Sequence, residues 1–176
     1  MGRASRHASD AVERPGAASK SPAVRYLPVA MKLSASIIIP RSQSDIFAFV
    51  SEVSNMPKWV TGVTAARLVS DEMAVGARFV CEYRPNRRSD QLELSVVSFD
   101  PPNAFCTRSS RGPFQFDGCV SLAEADGGTR VTNTIEAGPD SLSSKLATVL
   151  LGPLLRRSMQ KRLLRELTKL EFAVSR

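Results

Sequence analysis

The chain has 176 residues, the length of one domain, and is 43% hydrophobic and 23% charged, as is typical of globular proteins. These values exclude a collagen-like chain, a wholly disordered chain and a disulfide-rich mini-protein. No stretch approaches the ~18 consecutive apolar residues of a transmembrane helix. Charged or small residues also interrupt every candidate core of a signal peptide. We therefore expect a cytoplasmic protein with a hydrophobic core.

The formal net charge of +7 is concentrated at the two ends of the chain. Residues 1–30 carry a net charge of +3, residues 31–140 carry −2 and residues 141–176 carry +6. A protein that binds nucleic acid usually has a basic field over much of its surface. A nearly neutral body with one basic helix points to such a partner only weakly, so we expect no nucleic-acid partner.

Residues 1–30 are rich in Ala, Ser, Arg, Gly and Pro and show no hydrophobic periodicity. A segment of this composition cannot bury enough apolar surface to offset the entropy lost on ordering. The sequence therefore predicts a disordered basic tail over residues 1–30 and one folded domain over residues 31–176.

The folded domain is predicted to begin with a strand and two short helices. The strand ends at Ile39, before a proline. Either Ser42 or Ser44 can cap the first helix, which has an apolar stripe. Residues 54–59 predict the second helix, with a proline inside its first turn.

Six further strands are predicted after these helices, because turn residues recur every ~8–12 residues, as in an antiparallel meander. The apolar and polar alternation is clearest around Phe79, Cys81 and Tyr83, which share one face. In chain order the predicted strands are Val63–Val69, Ala77–Arg84, Gln91–Phe99, Ala104–Ser109, Phe114–Leu122 and Arg130–Glu136. With the first strand they make seven.

The C-terminal region is predicted to be helical, with an interruption at Gly152-Pro153, because a proline removes a backbone donor and clashes with the preceding turn. Residues 142–151 form the first segment and residues 154–174 the second. The second segment has an apolar face, formed by Leu155, Met159, Leu163, Leu167, Leu170 and Val174. The opposite face carries a basic stripe, defined as Arg157, Lys161, Arg165 and Lys169, which is most often a solvated face.

The cysteine and histidine content argues against metal and triad chemistry. Cys81, Cys106 and Cys119 lack metal-binding spacing, and we expect them to be reduced core residues, although a disulfide depends on distances. The only histidine, His7, lies in the tail. A zinc site and a Ser–His–Asp or Cys–His centre therefore lack ligands or a base. We expect no metal, no cofactor and no assigned catalytic residue.

The order of one strand, two short helices, six antiparallel strands and a long helix carries recognisable motifs. In chain order they are Ile39-Pro40, Asp45-Ile46-Phe47-Ala48-Phe49-Val50, Asn55-Met56-Pro57-Lys58-Trp59, Val75-Gly76-Ala77-Arg78-Phe79, Phe99-Asp100-Pro101-Pro102, Gly112-Pro113-Phe114, Asp126-Gly127-Gly128-Thr129-Arg130-Val131 and the closing Leu-rich basic helix. Over residues 33–174 the chain resembles the polyketide cyclase/dehydrase and lipid-transport family of the START-like (SRPBCC) superfamily. The resemblance implies an α+β helix-grip fold, in which a seven-stranded curved antiparallel sheet wraps around a long C-terminal helix, with an apolar cavity between them.

The residue pattern independently favours such a cavity. The inward strand positions include small residues, Cys81, Thr107, Ser109, Gly118 and Ala137, which leave space beside aromatic walls. The alternative is a fully packed core. Trp59 either anchors the second short helix against the sheet or stacks on a ligand. The residues predicted to line the cavity are Trp59, Phe79, Tyr83, Phe105, Thr107, Asn133, Met159 and Leu163.

Three functions remain open. The first is binding or carrying a small hydrophobic ligand, such as a lipid, an aromatic or a polyketide-like molecule, in the cavity. The second is a cyclase or dehydratase in which Tyr83 and Asn133 polarise a carbonyl during an aldol-type cyclisation, without a metal or nucleotide cofactor. The third is an interaction module that docks on anionic lipid through the basic helix. The scarcity of acids and histidines in the predicted cavity favours the first.

We predict that a chain starting at Met31 has the same thermal midpoint as the full chain, because residues 1–30 have no pattern that could pack on the domain. Thermal melts of the two proteins at equal concentration measure this directly. A large drop in the midpoint of the shorter chain would show that the tail contributes to the fold.

Overall fold

A computed structural model describes residues 31–84, 89–112, 115–137 and 145–176, with the backbone alone for residues 31 and 145–155. The predicted tail and the predicted start of a strand at Phe114 lie outside the described residues. The elements in chain order are β1 Met31–Ile39, α1 Gln43–Ser51, a 3₁₀ turn Val53–Asn55, α2 Met56–Trp59, β2 Val63–Leu68, β3 Arg78–Tyr83, β4 Asp90–Asp100, β5 Ala104–Arg111, β6 Phe116–Ala125, β7 Gly128–Ala137 and α3 Lys145–Val174.

The two short helices start where their capping residues allow. Ser42 caps α1, because its hydroxyl oxygen accepts a hydrogen bond from the Asp45 amide at 3.1 Å. The Glu52 carboxylate accepts from the Ser54 amide at 3.0 Å and so caps the 3₁₀ turn. The proline in the first turn of α2 occupies a position where its missing N–H has no helical acceptor. These caps place α1 and α2 between β1 and β2, as predicted.

The described strands form one seven-stranded antiparallel sheet in the order β1-β7-β6-β5-β4-β3-β2. The first strand pairs with the last, so the meander from β2 to β7 returns to β1. Register shifts interrupt the pairing of β4 with β5 at two places and of β2 with β3 at one. Such bulges bend a strand and increase its twist, which lets the sheet curl around α3. The predicted helix-grip fold is confirmed.

The strand β6 is longer than the sequence predicted. It runs to Ala125, whereas the alternation suggested an end at Leu122. The extra residues pair with β7 up to the contact of Ala125 with Gly128, across a tight turn in which Gly127 has a φ of 87°. Strand pairing therefore extends beyond the apolar pattern, because the hairpin turn itself fixes the register.

The predicted interruption at Gly152-Pro153 is wrong. A single helix of 30 residues, α3, runs from Lys145 to Val174 through both residues. A proline inside a helix removes one backbone hydrogen bond. The many backbone bonds on either side of it keep a helix of this length continuous.

The core lies between the concave face of the sheet and α3, which packs against β1, β7 and α2. On the helix, Leu163, Leu167 and Leu170 are fully buried, as the apolar pattern predicted. The members of the basic stripe are exposed. This amphipathic division orients α3 and decides which of its side chains reach the interior.

The expectation of three reduced cysteines is wrong for two of them. Cys106 on β5 and Cys119 on β6 lie directly opposite each other, with Cα atoms 4.0 Å apart, and form a disulfide. The third, Cys81, is free and buried. Because the pairing follows from the strand register, the cysteine spacing alone could not identify it.

Candidate functional site

A partly open cavity of 140 Å³ lies between the concave face of the sheet, α2 and α3. An apolar cavity of similar size in another protein holds benzene, so this one has room for about one ring. Its wall is mostly apolar, with contributions from both short helices, the middle strands and α3. The apolar wall residues include Val50, Met56, Val60, Val63, Cys81, Leu92, Leu94, Phe116, Val120 and Ile135.

The structure brings six of the eight predicted site residues together in the cavity wall. They are Trp59, Tyr83, Phe105, Thr107, Asn133 and Met159. The other two, Phe79 and Leu163, are fully buried in the packed core and do not line the cavity. On α3, Met159 lines the cavity as predicted. Beside it, Arg162 reaches the wall in place of the predicted Leu163. Ligand binding by any of these residues stays a prediction.

The sequence did not reveal a half-buried polar cluster at one end of the cavity, in which Tyr83 and Glu166 are buried and Arg162 is partly exposed. We call it the Arg162 cluster and define it as Thr61, Tyr83, Arg162 and Glu166. The Arg162 Nε donates to Glu166 Oε1 at 3.0 Å, Nη1 donates to the Tyr83 hydroxyl at 3.0 Å and Nη2 donates to the Thr61 carbonyl at 2.6 Å. The Thr61 amide also donates to Glu166 Oε1 at 3.0 Å. The cluster therefore joins α3 to β3 and to the turn between α2 and β2.

The two charges of this cluster neutralise each other. Glu166 is only 2% exposed, and a buried carboxylate needs a charged or hydrogen-bonded partner to remain in the interior. Burial alone would lower the pKa of Arg162, but its hydrogen bonds to Tyr83 and Glu166 and the Glu166 charge hold that pKa above its ordinary value. The guanidinium is therefore permanently charged, and this end of the cavity is polar without a net charge.

One sequence signal could have revealed this pair. Glu166 falls on the apolar face of α3 between Leu163 and Leu170, where an acidic residue is unexpected unless it is paired. Arg162 stands four residues before it, the spacing of an ion pair on a helix. An acid on the apolar face with a basic residue one turn away therefore indicates a buried ion pair between Glu166 and Arg162.

The turn that carries Thr61 depends on Gly62. Its φ of 89° lies in the left-handed region, and a Cβ atom there would lie 2.8 Å from Cε2 of Tyr83. The Gly62 carbonyl also accepts from the Arg84 amide at 2.6 Å. Glycine thus lets the turn close against the tyrosine ring and present both backbone groups of Thr61 to α3.

Trp59 has the anchoring role that the sequence offered and a place in the cavity wall, while stacking on a ligand stays a prediction. Its side chain is 5% exposed, packs into the core and also lines the cavity. Its indole N–H is buried and finds no acceptor among the residues that the structure describes. Asn133, which is 6% exposed, contributes a carboxamide to the same cavity wall. The cavity is therefore apolar with a few polar groups, as ligand sites usually are.

The free thiol of Cys81, in the cavity wall, has low reactivity. Burial raises the pKa of Cys81 to about 12, and its sulfur lies 3.8 Å from the Met56 sulfur. At neutral pH the thiol is therefore protonated and a weak nucleophile. Cys81 contributes volume and an apolar surface to the cavity and no covalent chemistry.

Other candidate features lie away from the cavity. Arg108 and Asp117 form an exposed ion pair at 2.7 Å on the outer face of the sheet. Within the described residues, no group of three or more His, Cys, Asp or Glu side chains could hold a metal ion. None of the described helices is long and apolar enough to cross a membrane.

The model of one protein family, described as polyketide cyclase / dehydrase and lipid transport, matches residues 30–171. The match therefore spans most of the chain and includes every element that builds the cavity. No curated protein matches the chain significantly.

Solved structures of low sequence identity share the fold. A Thermus thermophilus protein is 19% identical with a TM-score of 0.67, over 82% of this chain and 97% of that one. A START superfamily protein from Mycobacterium smegmatis is 14% identical with a TM-score of 0.66, again over 82% and 97%. The Zhui aromatase/cyclase from a Streptomyces species is 9% identical with a TM-score of 0.65, over 83% and 94%.

We predict that Cys81 does not react with iodoacetamide in the folded protein at pH 8. With a pKa of about 12, only about one thiol in ten thousand is ionised at that pH, and the thiolate fraction grows tenfold with each unit of pH. Mass spectrometry of the peptide that contains Cys81 measures the labelling, and the same protein unfolded in guanidinium is the positive control. Rapid labelling of the folded protein would contradict a buried, protonated thiol.

Proposed function

Because the chain belongs to the polyketide cyclase/dehydrase and lipid transport family, we propose that it binds a small hydrophobic ligand in the cavity between its sheet and α3. The observation that carries this proposal is a cavity of 140 Å³ with a mostly apolar wall. Protein interiors are normally close-packed, and voids larger than a water molecule are few. An apolar space of this size at the centre of the fold supports a binding role.

The physical driving force for binding is burial of apolar surface. Each Å² of apolar ligand surface removed from water contributes ~25 cal/mol. Among the lining residues, the rings of Phe105 and Phe116 and the thioethers of Met56 and Met159 are polarisable groups suited to contact with a ring. A ligand that fills this cavity gains affinity from apolar burial and needs neither a charge nor a metal.

A cyclase or dehydratase in the same cavity is the second candidate. One observation favours it: Tyr83 and Asn133, the two polar groups expected to polarise a carbonyl in an aldol-type cyclisation, both line the cavity. Two observations weigh against it. The charged pair Arg162 and Glu166 is neutralised internally, so no lone acid or base is offered to a substrate. The cavity also holds about one ring, whereas a polyketide chain that cyclises needs space for more.

Docking on anionic lipid through the basic helix remains a third and separate proposal. The basic stripe is exposed along α3, which suits a solvated face and equally allows peripheral contact with an anionic membrane. Phe172, three residues beyond Lys169, is an exposed aromatic side chain beside the stripe. We keep the cavity as the functional centre and assign it to residues 31–176, with residues 1–30 as a separate tail.

We predict that Gly118→Leu abolishes binding of toluene, a probe of one-ring size, without unfolding the protein. Gly118 lines the cavity on β6, and a Cβ atom there would meet Thr107 Oγ1 at 3.5 Å and Phe116 Cε2 at 3.7 Å, which are ordinary contacts. The added side chain therefore points into the space that toluene would fill. Saturating toluene should raise the thermal midpoint of the wild type by a few degrees (~3–5 °C at ten times Kd) and should not raise that of the variant.

Ala123→Leu is the matched control, because it makes a similar change on the same strand at an exposed position of the opposite face. It should keep the response of the wild type to toluene. A packed site would behave differently: Gly118→Leu would then destabilise the protein by roughly 1–3 kcal/mol through overpacking. That loss, together with no response of the wild type to toluene, would contradict the proposal.

A further inference from the structure

Two polar side chains of the cavity wall form no hydrogen bond within the part of the chain that the structure describes. They are Thr107 on β5 and Asn133 on β7, which are 9% and 6% exposed. Among the described residues, only Trp59 Nε1 is a fully buried side-chain nitrogen or oxygen without a partner. The unpartnered polar atoms of Thr107 and Asn133 are therefore not fully buried and keep contact with open space.

The strand register shows that this open space is the cavity. Asn133 pairs with Ala35 on one side and with Val120 on the other, and both neighbours are buried on the concave face of the sheet. Residues directly opposite each other in a sheet point to the same face, so the Asn133 side chain points to that face as well. Thr107 belongs to the same face, because its Oγ1 lies 3.5 Å from the position of a Cβ atom on Gly118, which also lines the cavity.

The carboxamide of Asn133 is the larger of these two unmet polar groups. It has a donor NH₂ and an acceptor oxygen, and a buried polar atom without a partner is costly. A carbonyl or ether oxygen of a ligand can only accept, which leaves the Asn133 oxygen without a partner. A hydroxyl group can donate to Oδ1 or accept from Nδ2, so it finds a partner whichever of these two atoms faces the ligand.

The rest of the wall limits the charge and the size of the ligand. The two ionised groups of the wall, Arg162 and Glu166, are bonded to each other at 3.0 Å, so the wall has no unbalanced charge to attract an ion. The volume of 140 Å³ has room for about one ring. A neutral ring with one small polar group fits both limits.

We propose that the cavity takes a neutral, single-ring molecule with a hydroxyl group, of the phenol or alcohol class, and that Asn133 recognises this hydroxyl. The inference rests on the proposed function, since it requires that the cavity binds a hydrophobic ligand. It goes beyond that function by assigning the polar group of the ligand and the residue that selects it. Burial of the ring provides most of the affinity, and Asn133 compensates the hydroxyl for the water that it loses.

Two probes of nearly the same shape test this assignment. p-Cresol and p-xylene have the same number of non-hydrogen atoms and differ only in a hydroxyl group that replaces a methyl group. p-Cresol is uncharged at pH 7, because a phenol has a pKa of about 10. In titration calorimetry, the full chain should bind p-cresol at least as tightly as p-xylene. A cavity without a partner for the hydroxyl would favour p-xylene, since a hydroxyl loses its hydrogen bonds to water there.

Asn133→Leu tests whether the carboxamide is the selecting group, because leucine has the same branching and no polar atom. The ratio of the p-cresol affinity to the p-xylene affinity should fall about tenfold or more in this variant. Thr107→Val is the matched control, since it removes the other unpartnered polar group of the wall and keeps the shape of the side chain. Its affinity ratio should stay within about twofold of the wild-type value. A ratio that falls in Thr107→Val and not in Asn133→Leu would contradict the role of Asn133.

A crystal structure of the wild type with p-cresol needs no variant. The hydroxyl oxygen of p-cresol should lie within ~3.2 Å of Oδ1 or Nδ2 of Asn133. If both probes bind and p-xylene binds about tenfold more tightly than p-cresol, or the p-cresol hydroxyl points away from Asn133, this inference fails while the proposed function stands. If neither probe binds, the proposed function fails as well.

Discussion

The arrangement of the whole interior depends on how one helix is fixed to a curled sheet. The Arg162 cluster ties α3 to β3 and to the turn between α2 and β2 through three hydrogen bonds of 2.6–3.0 Å, and a fourth joins Arg162 to Glu166 within α3. On the same turns of α3, Leu163, Leu167 and Leu170 pack into the core. The cluster and these leucines together fix the position of α3 over the sheet. The cavity lies beside this contact and is bordered on α3 by Met159, Arg162 and Glu166.

The cavity has a measurable consequence for stability. In another protein, a void left by a deleted side chain costs ~24 cal/mol per Å³, which for 140 Å³ corresponds to about 3 kcal/mol. That is a sizeable fraction of the ~5–15 kcal/mol that stabilises a typical domain. One larger residue in place of Gly118 would fill much of the space at no backbone penalty, since its φ is not in the left-handed region. A single substitution could fill this apolar space and raise stability. Its presence is therefore expected of a binding site, where function is favoured over stability.

Most of the fold could be predicted from the sequence, because the periodicity of apolar residues records which face of each element is buried. The alternation on β3 correctly put Phe79, Cys81 and Tyr83 on one face, and the resemblance to a known family supplied the connection between the elements. The continuous α3 was missed because a proline at residue 153 was treated as a helix break. The disulfide between Cys106 and Cys119 was missed because it depends on strand register, which no cysteine spacing reveals.

The candidate site was predicted less completely, for a physical reason. Periodicity tells which residues face inward, but the depth at which each one sits decides whether it reaches the cavity or packs beside it. Phe79 and Leu163 face inward and are packed in the core, whereas Met159 and Arg162 reach the wall. The pairing of Arg162 with Tyr83 and Thr61 joins residues that are distant in sequence. The burial of the Trp59 N–H, which has no acceptor among the described residues, likewise depends on tertiary packing. Only the three-dimensional arrangement could reveal them.

The most direct test of this account is a crystal structure of the protein under xenon pressure, because xenon enters apolar cavities of this size and scatters strongly. The account predicts a single strong xenon peak between α3 and the sheet, in contact with Phe105, Met159 and the indole of Trp59. It also predicts that the hydrogen bonds of the Arg162 cluster are unchanged. An interior without xenon, in which the wall side chains close over the space, would contradict the central claim that this fold maintains an open apolar cavity.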